Sequence, residues 1–431
     1  MAGLKRWRPG RGGWDRAAAA HLHRRAAFGA TPAELDKALA LGVDGAIDAL
    51  LDRDAHEPAL LGSARHLLGA GDEEVLASWW FALILAGGAP LRERATLIWH
   101  GHFATSNAKV RDVRLMHAQN ELFRERGLGD FRELLHAVAR DPAMLKWLDG
   151  DENRRGAPNE NFARELMELF ALGRGAYGER DVQEAARAFT GWGTDRRAAR
   201  FRPENHDPGP KVVLGRRDVK SAEDAVDAVI AHPACARHVA ARLLRELVAP
   251  EPEPAWIEAT AETLLGAKWS IRATIEAILR SELFFSRDVR RARIAAPVEL
   301  IACAARGLSA ELAPLTAARE AARMRQALFL PPSVKGWDGE AAWADAGAWV
   351  ARHNLLVSLA DACDVTAFED EPARRAVERL APDLAGTAFE RALSSSLARA
   401  HADEGSRDAS REAVARTALA LVVTAPEYHL Y

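Results

Sequence analysis

Two histidines stand one residue apart in Trp99-His100-Gly101-His102-Phe103, with a glycine between them that lets the backbone turn. Imidazole nitrogens so placed can face one ion. A second pair of candidates, Glu165 and Glu168, lies in Ala157–Gly173 (APNENFARELMELFALG), where carboxylates can ligate a metal or work as acid and base. A third cluster is Asn205-His206-Asp207 with Lys211 nearby. His100, His102 and His206 as nitrogen ligands, with Glu165 or Glu168 as oxygen ligand, form a set suited to zinc, iron or manganese. The remaining glutamate or Asp207 is then the general base. An open coordination position gives hydrolysis with zinc or redox chemistry with iron. Asn159, Asn161 and Arg164 accompany the glutamates. Lys335 and Trp337 mark a Pro/Trp-rich loop, Pro331 to Trp343, that reads as a lid over a pocket.

Each feature also has a plainer reading. Asn161, Arg164, Glu165 and Glu168 share one helical side at i, i+3, i+4 and i+7, while Phe162, Leu166, Leu169 and Phe170 share another. Glu160–Arg164 and Arg164–Glu168 are spaced as i,i+4 ion pairs on a solvated face. His100 can cap a helix C-terminus and His102 can sit hydrogen-bonded in a loop. His206-Asp207 can be a turn. The tryptophans can wedge their loop against a core.

The elements that must position these residues are mostly helical. Thr31-Pro32-Ala33-Glu34 has the cap, proline and returning carboxylate of a helix start. Asp130…Glu133, Asp181…Glu184 and Ser221…Asp224 repeat the spacing, and Asp141-Pro142 opens a short helix. Asn159 is placed as an N-cap and Gly173 as the glycine after a helix end. Strand character is confined to Phe201–Gly215, where Lys211–Leu214 follows an Asn/Asp/Pro/Gly turn. The expected fold is all-α with one small β-hairpin excursion near residues 201–215. It forms a single helical unit over 1–431, with a sub-division into a motif-rich half, 1–216, and a half containing the Pro/Trp loop, 217–431.

The totals exclude several classes. With 58 Lys and Arg against 61 Asp and Glu, the chain has no global attraction to nucleic acid or anionic membrane. Cys235, Cys303 and Cys363 are too few and too scattered for a disulfide framework or thiolate zinc site. The basic N-terminal arm, Lys5–Arg16, reads as a strand-like segment lying on the body. No apolar region follows it as in a secretory signal, and Val75–Ala86 is too short to span a bilayer, so a cytoplasmic protein is expected. Nucleotide-phosphate loops and a GxSxG nucleophile elbow are absent.

Taken in order, HLHRRAAFGATPAEL, WHGHFATS, PNENFARELMELFALG, DVQEAARAFTGW, HDPGPKVVLG and PPSVKGWDG resemble the bacterial domain of unknown function 1800 family, from about Trp14 to about Tyr431. The resemblance carries no established catalytic residues. It implies relatives with export signals and a protein partner from a neighbouring sulfatase- or phosphatase-like family. It also places the polar residues of the glutamate helix in a named motif, which a merely solvated face does not require.

Two functions follow as expectations. One is a metal-dependent enzyme, hydrolytic or redox, built on the His/Glu/Asp set. The other is a non-catalytic helical partner or assembly protein, in which the same motifs form a docking surface or a buried polar network.

Overall fold

A computed structural model of the chain describes residues 4–10, 12–53, 55–69, 71–403 and 411–431. The body is helical, as expected. Proline stands at the first turn of the helices Pro32–Asp52, Pro90–His102, Pro142–Trp147, Pro233–Leu247 and Pro297–Leu308, where its missing N–H costs nothing. The capping boxes at Thr31/Glu34 and Ser221/Asp224 form in full. The helix expected to open at Asp181 instead runs Glu179–Ala188, and Asp181 reaches back to accept the Gly178 N–H. Asn159 accepts the Asn161 N–H, although the helix itself begins at Asn161.

The β excursion consists of two antiparallel hairpins, Trp192–Asp195 with Ala198–Phe201 and Lys211–Val213 with Arg216–Val219. They flank the Arg202–Pro210 turn. Leu214 and Gly215 both have positive φ, as a tight hairpin turn of this hand demands.

The helix Pro90–His102 organises the interior, because every residue in it except Arg92 is buried. Its apolar side chains serve two clusters. One gathers Trp99, Phe103, Phe123, Phe131 and Phe170; the other gathers Trp80, Phe81, Ile301, Phe329 and Leu356. Burying each such side chain contributes about 1.5–3 kcal/mol. The Leu330–Gly339 loop reaches both, Val334 against the first and Trp337 against the second. The N-terminal arm lies on the body: Arg6 bridges to Ser281 and Trp7 stacks on Phe285 at 4.0 Å. The three cysteines are free and buried. Among the described residues no helix is long and apolar enough to cross a membrane.

A helix buried on all sides must satisfy its own charges. Glu93 does so with His56, Trp80 Nε1 and a two-pronged contact from Arg124. Burial alone would raise its pKa; Arg124 and His56 more than offset that and hold it at about 2. Arg94, the next residue, turns to the other side, toward the site described below.

Candidate functional site

The glutamate helix departs from α geometry. Asn161–Glu165 is α-helical, but Leu166–Ala171 is a π-turn, with the N–H groups of Leu172 and Gly173 both directed at the Met167 carbonyl. Such turns carry an extra residue and leave carbonyls without intrahelical partners. Imidazoles supply the missing donors. His102 Nε2 lies 2.8 Å from the Phe170 carbonyl and His238 Nε2 lies 2.8 Å from the Leu169 carbonyl. Burial pushes both imidazoles toward the neutral form, so each donates a single N–H there. Gly173 follows with φ 81°, as expected for a residue after a helix end.

The extra residue also resets the charge pattern. Arg164 keeps its ion pair with Glu160 at 2.7 Å but turns its other prong to Glu179, so the expected Arg164–Glu168 pair does not form. Glu168 instead accepts from Arg174 at 2.7 Å and Tyr177 at 3.1 Å. Asn161 donates to Asp149. Glu165 is half-buried, and its carboxylate has no hydrogen-bond or ion-pair partner among the described residues. Burial and the neighbouring Glu168 raise its pKa, while the Arg174 hydrogen bond lowers that of Glu168; Lys335 stands close enough to draw both down.

The other predicted ligands are tied to the main chain. His100 Nε2 accepts the Phe329 N–H at 3.1 Å, and its ring is enclosed by Trp80, Phe329 and Trp337 at centroid distances of 5.3–5.4 Å. That burial holds its pKa near 3. His206 places its two ring nitrogens 2.9 Å from the carbonyls of Thr190 and Lys220. Asp207 binds Arg187 at 2.7 Å and the Gly209 N–H at 2.8 Å, and the Arg187 hydrogen bond brings its pKa to about 2. The Lys211 ammonium is held by the carbonyls of Asp207 and Gly209 at 2.6 and 3.0 Å. These residues fasten the turn between the hairpins. Among the described residues, no three or more His, Cys, Asp or Glu side chains are placed to share a metal ion.

What the structure does bring together is the His100-Gly101-His102 motif and the Pro/Trp loop. A methyl on Gly336, whose φ is 86°, would lie 2.5 Å from the Gly101 carbonyl oxygen. One on Gly101 would lie 2.9 Å from Arg242 Nη2 and 3.7 Å from the Trp337 ring. Only glycines permit this approach. Beside the contact lies a pocket of about 230 Å³. Its inner wall holds Arg94, Arg242 and Arg293 with Glu246 and Glu299; Trp337 forms one side and Arg245 stands at the rim.

The pocket's charges are built from distant segments. Glu299, 1% exposed, accepts from Arg94 on one oxygen and from Arg293 and the Ala296 N–H on the other. Arg94 also donates to the Glu246 carbonyl at 2.8 Å, and Arg242 pairs with Glu246 at 2.9 Å. Burial would raise Glu299, but Arg293 and Arg94 bring it below the carboxylate range. Four guanidiniums, Arg94, Arg242, Arg245 and Arg293, line the pocket with four carboxylates, Glu246, Glu299, Asp338 and Glu340, so its lining is balanced, 4 − 4 = 0. The Nε–H groups of Arg94, Arg242 and Arg293 and the indole N–H of Trp337 are buried without a partner. Unsatisfied guanidinium and indole donors suit an oxyanion.

Of the sequence candidates, only Trp337 lines this pocket, with Lys335 and His100 beside it. Arg94, Arg242, Arg293, Glu246 and Glu299 were not foreseen. The available signal was Glu93-Arg94 inside a helix otherwise rich in buried residues. No curated protein and no solved structure matches the chain. A family model described as "Protein of unknown function (DUF1800)" matches residues 21–430, nearly the whole length, and the chain belongs to that family.

Proposed function

We propose that this protein binds a small ligand bearing an oxyanion, a carboxylate or a phosphate, in the pocket between Gly101 and Trp337. The observation that carries this reading is a set of four buried N–H groups without acceptors among the described residues, on Arg94, Arg242, Arg293 and Trp337, all of which line the pocket. Arg pairs geometrically with planar and tetrahedral oxyanions through paired N–H donors. Arg245, exposed and without an ion-pair partner among the described residues, adds a free guanidinium to the lining. At about 230 Å³ the space is below the range of drug-sized ligands, which points to a compact metabolite. His100, packed on Trp337 at 5.4 Å, then serves to fix one wall.

Titration calorimetry with phosphate, pyrophosphate and succinate tests it. Saturable binding of one of these, weakened at least tenfold by Arg242→Met and several-fold by Arg245→Ala, is the expected outcome. Absence of saturation with all three, or affinity indifferent to Arg242→Met, overturns it.

A second reading is acid–base catalysis by Glu165 and Glu168, on the helix beside Lys335. It is favoured by their oppositely displaced pKa values and by the unpartnered state of Glu165 beside Lys335. A metal-assisted version would require His100, His102 and His206 to leave their main-chain partners. Elemental analysis of untagged protein and of a His100→Ala/His102→Ala variant tests that version.

A further inference from the structure

The HLHRR motif near the N-terminus takes no part in the pocket above, yet it leaves a buried polar atom unexplained. His23 is 6% exposed, and its Nε2 has no hydrogen-bond partner. It lines a separate cavity of about 420 Å³.

The cavity is made by a break in the helix Pro32–Asp52. Gly42 has φ 72° and ψ 173°, which no helix allows, so the segment folds into two arms. Residues 34, 37, 38 and 41 lie on one face of the first arm, and 46, 49, 50 and 53 on one face of the second. The two faces close on each other. Near the bend they carry Ala38, Leu41, Ala46 and Ala49, and the three alanines leave the space unfilled. At the open end Glu34 and Arg53 form an ion pair across the gap, with Lys37 beside them. The result is a slot with an apolar bottom and a polar mouth.

The mouth has a sign. Glu34 is already engaged by Thr31, Arg53 and Arg306, the last at 2.6 Å. Among the residues lining the slot, Lys37 and Arg53 stand against Glu34, 2 − 1 = +1. Lys37 is exposed and unpaired among the described residues. Burial, with Arg306 and Arg53 nearby and against the pull of Glu34, holds His23 neutral with a pKa near 4. A neutral imidazole has one N–H to give.

We propose that this slot binds a medium-chain aliphatic carboxylate. Its head accepts hydrogen bonds from His23 Nε2–H and Lys37 at the mouth, and its tail runs over Ala38, Ala46 and Ala49 toward Gly42. A cationic head is disfavoured by the surplus positive charge, and a wholly apolar ligand leaves His23 unsatisfied.

The test is calorimetric titration of the full chain with octanoate, alongside octanol, with the His23 ring followed by ¹⁵N NMR. Expected are saturable one-to-one binding, a shift of the His23 ring resonances, and octanol affinity at least fivefold weaker. Ala49→Phe, which fills the slot from a half-buried position, is expected to weaken octanoate at least tenfold while leaving the melting temperature within a few degrees. Lys37→Ala, on the surface, is expected to weaken it several-fold. No saturation by octanoate overturns the proposal, as does affinity unchanged in Ala49→Phe. Octanol binding as tightly as octanoate overturns the assignment of the head. Octanoate binding abolished by Arg242→Met assigns the carboxylate to the arginine pocket and overturns this one.

Discussion

Replacing Glu299 by glutamine tests the electrostatics of the arginine pocket with little change of shape. Glu299 accepts from Arg94 on one oxygen and from Arg293 and the Ala296 N–H on the other. The glutamine carbonyl can serve one guanidinium, but its amide NH₂ then faces the other, donor against donor. The pocket lining changes from 4 − 4 = 0 to 4 − 3 = +1, with the lost charge at a site nearly inaccessible to water. Breaking a buried pair in this way costs about 3–5 kcal/mol. The pH dependence has a defined sign. The folded pKa of Glu299 is depressed, so its stabilisation is present above the unfolded carboxylate pKa and is lost as pH falls through the folded value. Glu299→Gln is therefore less stable than the parent at pH 7, with the difference shrinking toward pH 3. The assay is thermal unfolding from pH 3 to 8, without and with phosphate or sulfate. An oxyanion restores the missing charge, so it raises the variant's melting temperature more than the parent's. A loss below about 1 kcal/mol at pH 7, or equal anion effects on both proteins, would refute the reasoning by showing the guanidiniums to be solvated.

Further predictions concern single contacts. Gly336→Ala forces a side chain into positive φ and to 2.5 Å from the Gly101 oxygen, at a cost of about 2–4 kcal/mol in denaturant unfolding. His102→Phe keeps the ring but removes the donor to the Phe170 carbonyl, and is expected to lose about 1–3 kcal/mol with no change in metal content by elemental mass spectrometry. Asp141 is buried and its pKa is raised by burial to about 7, against 3.8 when unfolded. Its contribution is full below about pH 4 and is lost as pH rises through 7, a span of about 4 kcal/mol. Asp141→Asn keeps an acceptor for the Met144 N–H, and Gln119 can turn its unpartnered oxygen to the new amide. The variant is thus as stable as the parent or more so at pH 8, with a flatter melting profile from pH 4 to 8; an unchanged profile would exclude Asp141 as its source.

Helix starts were legible where the signal is local. Thr31/Glu34 and Ser221/Asp224 cap as their spacing predicts, because both partners lie within one turn. Asp181 shows the limit of the same rule: the carboxylate takes the third position rather than the cap, since it can serve Gly178 from there. The π-turn at Leu166–Ala171 has no local signature. It depends on His102 and His238, far away in sequence, and it rotates Glu168 out of reach of Arg164. The pocket was hidden for a related reason. A solvated arginine and a buried one are written with the same letter, and Arg94 meets Glu299 across a separation of 205 positions. The motif histidines stood out by residue type, but their roles are set by main-chain groups, which every residue carries. His21, bound to the Phe284 carbonyl across 263 positions, repeats the pattern.

The π-turn has a kinetic consequence. Its two freed carbonyls are held by imidazoles from two other helices, Pro90–His102 and Pro233–Leu247. The turn therefore cannot fray alone, because opening it severs both fastenings at once. A short irregular segment with exposed charges would ordinarily exchange its amide hydrogens by local opening. Here the amides of Leu172 and Gly173 are expected to exchange only with the unit that contains all three helices. The least regular turn in the glutamate motif then opens only together with the two helices that hold it, and it couples the glutamates of that motif to the helix that carries Arg94.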